Sequence, residues 1–325
     1  MKDSSTQAPA PKRHRQALLA KSKARLVRHI ILLLCGGFLW SCPATAKGTF
    51  TIVATTGMLG DALRNIVQEH AQVITLMGPG VDPHAYKATQ RDVQHLLKAD
   101  IVFYNGLHLE GRMADILKKL SKKRPIHAAG DAIPHEQLII DPDFPMGIDP
   151  HIWFDVQLWM RVVQYMSTLL QAAHPQKARY YQANTTTYLQ QLANLDRSIA
   201  QAIQEIPALQ RVLITAHDAF GYFGRAYAME VRGLQGISTV SECGLRDVTD
   251  LVEFIIERNI KALFLETSVP ERPLKAVVEG CRQRGHPMVV GGYLYSDALG
   301  QEGTPTGTYY GMVQANVQAI INALK

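Results

Sequence analysis

Apolar positions along this chain fall into two alternating rhythms. Short runs of β-branched and aliphatic residues at 49–55 (TFTIVAT), 72–77 (QVITLM), 101–104 (IVFY) and 126–129 (IHAA) predict strands, and helical spacing at 58–69, 89–98 and 109–121 separates them. The alternation returns at 211–216 (RVLITA), 230–235, 261–266 (KALFLE) and 288–294 (MVVGGYL), with helices predicted at 218–228, 247–258, 271–284 and 309–324. Short apolar strands spaced by amphipathic helices suit parallel βαβ units, whose strands are covered on both faces. Two such halves predict an α/β fold of two doubly wound (β/α) domains.

Between the halves, residues 176–206 contain neither Gly nor Pro, and Pro175 and Pro207 bracket them. Tyr188, Leu192, Leu195, Ile199, Ala202, Ile203 and Ile206 make one apolar stripe at helical steps. At 1.5 Å per residue this is a rod of about 46 Å. A coiled-coil arm fits less well, because regular opposite charges do not flank the stripe. A rod along both domains predicts a stiff link and a nearly fixed cleft. The predicted division is an N-terminal domain over 47–174, a linking helix over 175–207 and a C-terminal domain over 208–325.

Charge changes the picture mainly at the N-terminus. The formal net charge is +6 over 325 residues, yet residues 1–46 hold eight of the 34 Lys and Arg and one of the 28 acids. The remaining 26 basic and 27 acidic side chains nearly balance, which removes a nucleic-acid partner. The cationic stretch ends at Arg28 and His29, and an eleven-residue apolar run, Ile30 to Trp40, follows. That is too short to cross a bilayer core of about 30 Å, but it suits a signal peptide. Ala44-Thr45-Ala46 is the small-x-small pattern of a cleavage site, so residues 1–46 are predicted to be removed and the chain exported. Leu39-Trp40-Ser41-Cys42 is a rival lipid-attachment site at which Cys42 would anchor the chain to a membrane, although Trp40 is bulky for it. Cleavage leaves Cys243 and Cys281, a pair that makes no metal motif and is open to a disulfide or two buried thiols.

The candidate chemistry lies in a repeated motif and two later residues. Gly80-Val81-Asp82-Pro83-His84-Ala85-Tyr86 and Gly147-Ile148-Asp149-Pro150-His151-Ile152-Trp153 match in character at all seven positions. Pro fixes the backbone just before each imidazole, and the Asp can orient or cap the turn. The first copy follows a predicted strand; the second opens a predicted helix at 152–172. His217 directly follows the strand at 211–216, and Asp297 follows the strand at 288–294. Ligand sites in open parallel sheets lie beyond the carboxyl ends of strands. His84, His151, His217 and Asp297 thus form a candidate metal site in the crevice between domains.

The runs MGPGVDPHAYKAT, DPHIWFD, LITAHDAFGYFGRAY and YSDALG resemble the zinc- and manganese-binding solute receptors of ABC importers, the TroA-like and ZnuA-like proteins of bacterial solute-binding protein family 9. The resemblance covers roughly residues 50–325. It implies two (β/α) domains joined by a backbone helix, limited closure around the metal, and direct ligation by His84, His151, His217 and Asp297. It implies an ABC permease with its cytoplasmic ATPase as partner, a monomeric receptor, and a periplasmic or lipid-anchored location. The His- and acid-rich loop of many zinc-dedicated members is absent, since residues 128–150 hold only His135. Manganese-dedicated members usually carry Glu where this chain has His217. Three imidazoles and one carboxylate favour Zn2+ as cargo, with Mn2+ or Fe2+ as alternatives.

Other signals carry less. Gly106 to Gly111 mimics a phosphate loop without its Lys and Ser/Thr, His135-Glu136 lacks the second His of a zinc-protease helix, and no Gly-x-Ser-x-Gly turn is present. His108, His127, His174 and His286 read as surface or structural, and Met77, Met113 and Met166 as core. Glu242 lies in a turn that could face the cleft. A secreted zinc-dependent hydrolase would use the same ligands with Asp218 as base, but four protein ligands leave no open position for water. A surface adhesin lipoprotein is a third reading. The expectation is a transport receptor with no enzymatic activity, whose metal affinity falls as pH drops through about 6.5, where free imidazole takes up a proton.

Overall fold

Strands β1 (Thr51–Ala54), β2 (Gln72–Thr75), β3 (Ile101–Tyr104) and β4 (Ile126–Ala128) pair in parallel in the order β2-β1-β3-β4. Val53 sits opposite Ile74 on one side and Val102 on the other. The structure, a computed structural model, describes Met1 and residues 49–141, 147–241 and 243–325. Helices α1 (Gly57–Val67), α2 (Gln90–Lys98) and α3 (Ala114–Ser121) supply the crossovers. After α4 (Val156–Ala173) and α5 (Ala178–Gln204) the plan recurs. Strand β5 (Val212–His217) pairs in parallel with β6 (Glu230–Gln235), β7 (Ala262–Glu266) pairs in parallel with β8 (Val289–Leu294), and β5 lies beside β7. By adjacency the order β6-β5-β7-β8 repeats that of the first half, although β5-β6 and β7-β8 are two separate two-stranded sheets, with α6 (Gly221–Tyr227), α7 (Leu245–Glu257), α8 (Arg272–Gln283) and α9 (Tyr309–Leu324) around them.

Period-two alternation explains why the strands read as continuous apolar runs. In the first sheet Ile52, Ala54, Ile101 and Phe103 join one core, while Val53 and Val102 point into another with Leu96 and Leu117. In the second half, Leu213, Ala262 and Phe264 join that same first core, and Val212, Ile214, Leu263 and Leu265 face a third. The shared core also takes α4, α5 and α9, so Thr49–Lys325 form one compact unit.

The linking helix runs over Ala178–Gln204, 27 residues or about 40 Å, and lies against α1, α4 and α9. It is packed along its length, which replaces the coiled-coil alternative. Its buried stripe begins two turns before the predicted one, at Tyr181 and Thr185. Thr185 donates its hydroxyl to Tyr181 O at 2.6 Å and lies 2.7 Å from Ser167 Oγ, so a polar residue is satisfied on an apolar face. Tyr309, the first residue of α9, donates its amide to Asp61 Oδ2 at 3.0 Å and its hydroxyl to Trp153 O at 2.7 Å. These bonds fasten the C-terminal helix to the first half.

Three predicted helices start later than their periodicity suggested, the one over 218–228 at Gly221. Over 109–121 the helix begins only at Ala114, because the chain first wraps around Glu110. That buried carboxylate accepts from Thr55 Oγ1 (2.6 Å) and from the amides of Asn105 (2.7 Å) and Gly106 (3.1 Å). The glycine-rich loop thus spends its amides on an internal carboxylate. Over 152–172 a short 3-10 turn at Ile152–Phe154 precedes α4, whose cap is Asp155, accepting from Gln157 N and Leu158 N. Cys281 and Cys243 are free thiols packed against the third core, so no disulfide joins them. The leader beyond Met1, with Cys42, and Glu242 lie outside the described residues. Among those described, no helix is long and apolar enough to cross a membrane.

Leu192 of α5 is fully buried and Gln191 beside it is exposed. Leu192→Ala should lower unfolding free energy by about 2–5 kcal/mol in urea titrations, whereas Gln191→Ala should stay within about 0.5 kcal/mol.

Candidate metal centre

Both Asp-Pro-His loops begin on a glycine that L side chains do not readily replace: Gly80 has φ 70° and Gly147 φ 68°. In each, the Asp carboxylate accepts the amide of the His two residues on, Asp82 Oδ1 from His84 N at 2.8 Å and Asp149 Oδ1 from His151 N at 2.9 Å. Each loop leads into a helix. Tyr86 donates to Asp92 Oδ2 at 2.7 Å, inside the Thr89–Asp92 capping box of α2. The second loop is held by Asn105 Nδ2, donating to Pro150 O at 3.0 Å, and by Tyr222 Oη, donating to Asp149 O at 2.9 Å. His217 is the last residue of β5 rather than the first beyond it, and Asp297 lies three residues past β8.

All four residues converge. One donor atom from each of His84, His151, His217 and Asp297 lies within 4.8 Å of the others, and the four side chains are buried. His84 Nε2 is 3.3 Å from His151 Nε2; Asp297 Oδ1 is 3.4 Å from His151 Nε2, and Oδ2 is 3.2 Å from His217 Nε2. All three imidazoles therefore present Nε2 to one point, and Asp297 turns an oxygen toward each of two of them. Both Asp297 oxygens are buried, and each lies against an imidazole Nε2 whose proton or bound cation would answer its charge. Buried carboxylate oxygens are costly unless a donor or a cation meets them.

Carboxylates stand behind two of the rings. Asp149 Oδ1 is 2.7 Å from His151 Nδ1, and Glu266 Oε2 is 2.6 Å from His217 Nδ1. Glu266 also accepts the amides of Ala216 (2.7 Å) and His217 (2.9 Å) through Oε1, so it bridges the gap between β7 and β5. Such outer partners fix ring orientation and raise ligand basicity. Sequence reasoning anticipated the turn-capping bond of Asp149 but not its contact with the His151 ring, and gave Glu266 no role. Its one signal was an acid closing an otherwise apolar strand, KALFLE. Asp218 lies outside the converged group, and burial with the nearby Asp149 pushes its carboxyl up to about 6.

Protons occupy part of this charge arrangement when no metal does. Burial alone would lower the His151 pKa, but Asp149 and Asp297 outweigh it and raise it to about 9. Burial is likewise outweighed at His217, where Glu266 and Asp297 hold the ring well above its ordinary value. Burial takes His84 down to about 3, helped by the neighbouring rings. Asp297 is held well below the carboxylate range because the imidazoles overcome its desolvation. The window of proton competition therefore lies higher than free histidine suggests.

The sign follows from linkage: a raised histidine stabilises the fold below its unfolded value near 6.5, and this contribution is lost as pH rises through about 9. The metal-free protein should melt at progressively lower temperature between those values, while metal affinity rises over the same interval with proton release measurable by calorimetry in paired buffers. A flat melting profile there would exclude a protonated His151. Glu266→Gln should weaken metal binding about 10–100-fold in chelator competition, with the bound stoichiometry unchanged.

Comparison with known proteins agrees with this geometry. Residues 52–323 match the family described as ZnuA, zinc-uptake complex component A, periplasmic. The chain is 45% identical over 315 residues to the manganese-binding lipoprotein MntA of Bacillus subtilis, covering 96% of this chain and all of that one. It is 44% identical over 281 residues to the zinc-binding protein TroA of Treponema pallidum, covering 86% and 91% of the two chains. The solved structure of that periplasmic zinc-binding protein superposes with a TM-score of 0.83 over 85% of this chain and 99% of the other. Three imidazoles clustered with a buried carboxylate, and a likeness that runs over nearly the whole chain, lead to one conclusion: the chain belongs to the ZnuA family, the metal-binding substrate receptors of ABC importers, and is a binding protein rather than an enzyme.

Proposed function

We propose that this protein captures one divalent transition-metal ion outside the cytoplasm, on His84, His151, His217 and Asp297, and passes it to an ABC permease driven by a cytoplasmic ATPase. The observation that carries this reading is the convergence of three Nε2 atoms and a buried Asp297 carboxylate, one donor atom from each lying within 4.8 Å of the others. Zinc is the favoured cargo, since three imidazoles and one carboxylate oxygen make a tetrahedral N3O set. Manganese and ferrous iron are the alternatives. Engagement of both Asp297 oxygens would raise the coordination number toward what those ions prefer. The names of the relatives point both ways, zinc for the treponemal protein and manganese for the Bacillus one.

The receptor acts as a monomer with an N-terminal lobe over 47–174, a linking helix over 175–207 and a C-terminal lobe over 208–325. Its extracytoplasmic location takes one of two forms: a soluble periplasmic chain after cleavage behind Ala46, or a chain tethered through Cys42. The Bacillus relative and the Streptococcus pneumoniae relative PsaA carry lipoprotein in their names, which favours the tether. Mass spectrometry of the membrane-extracted chain separates the two, because only the tethered form carries a lipid on Cys42.

Elemental analysis after chelation and reloading tests the site itself. The native chain should take up one equivalent of zinc or manganese, and His84→Ala and Asp297→Ala should retain none through a desalting step. At a hundredfold excess over Kd, metal should add about 2.7 kcal/mol of stability, seen as a rise in melting temperature that both variants lack. No uptake by the native chain would end the receptor reading.

A further inference from the structure

The two Asp-Pro-His loops share a backbone and differ in what their carboxylates reach. Asp149 turns back onto the ring of its own His151. Asp82 reaches across the fold: Oδ1 caps the amides of His84 (2.8 Å) and Ala85 (3.4 Å), while Oδ2 accepts from Thr239 Oγ1 at 2.6 Å. Thr239 lies 157 residues away, in the loop between β6 and α7. Among the described residues no carboxylate stands behind the ring of His84, in contrast to His151 and His217. His84 is positioned through its backbone, and Pro83 with the Asp82 cap makes residues 82–85 a stiff unit.

The second loop is tied to the other half by buried bonds, Trp153 Nε1 to Ser296 O at 3.0 Å and Tyr309 Oη to Trp153 O. The Thr239–Asp82 bond is half-buried, where water can take over either partner. We propose that Thr239 is a positioning residue for metal retention, whose hydroxyl, acting through Asp82, holds the His84 loop over the ion until that bond breaks and the ion leaves. This deepens the metal-receptor reading and rests on it. A hydroxyl bond to a carboxylate is strong enough to set a dissociation rate, and a single bond is weak enough to be opened by a docking partner.

The test compares the native chain, Thr239→Val and Thr239→Ser, each loaded with one equivalent of Co2+ and mixed rapidly with excess chelator. Thr239→Val should release cobalt about tenfold faster, the size expected for one lost hydrogen bond to a charged group. Thr239→Ser should match the native rate. The visible spectrum of the loaded forms should be the same in all three, and metal-free Thr239→Val should melt no more than a few degrees below the native chain, so that faster release is not general unfolding. Equal release from the native chain and Thr239→Val overturns the proposal. Release from Thr239→Ser as fast as from Thr239→Val does so too, since the methyl rather than the hydroxyl would then matter. A native chain that takes up no cobalt, zinc or manganese overturns the receptor reading itself and this proposal with it.

Discussion

An ionised carboxylate at the centre of the fold, Asp297, is the constraint around which the rest is arranged. Placing a charge where water cannot reach it is affordable only when opposite charge stands close by. Three carboxylates, Asp149, Glu266 and Asp297, share this interior with three imidazoles. Asp149, Glu266 and Asp297 hold protons on His151 and His217, and a divalent ion on the same Nε2 atoms would displace them, so pH and metal concentration compete for one site.

The topology explains how four residues far apart in sequence meet. Each half orders its strands with the earliest in the interior, so the carboxyl ends of the central pair open at one switch point. Glu110 marks that point in the first half and Glu266 in the second, each accepting backbone amides where two neighbouring strands part. In the first half the acid is purely architectural. In the second it also steadies His217, so the same structural device carries a functional load in one half only.

Much of this was legible in the sequence because the relevant signals are local. Strand runs, Pro-bracketed helix limits and two matching Gly-x-Asp-Pro-His motifs need no partner to be recognised, and all four converging residues were identified from them. What was missed depends on contacts between distant segments. Glu110 shortened a predicted helix by recruiting Thr55 and two amides, a competition that periodicity does not register. Thr185 extended the buried stripe of the linking helix because Ser167, on another helix, satisfies it. Glu266 sat unremarked at a strand end, since its importance comes from the gap it spans. The expected pH window was too low for a related reason: an isolated histidine value ignores carboxylates that only the fold brings near.

The position of Asp297 in the chain has a consequence for biogenesis. It is the last of the four donors in chain order, and α9, which follows it, docks on Asp61 and Trp153 from the opposite half. A chain that has emerged only as far as β8 holds three of the four donors and lacks the helix that fastens the two halves together. The ion first loaded is thus the one present where the finished polypeptide folds, which makes the compartment, as well as the donor set, a determinant of which metal the receptor acquires.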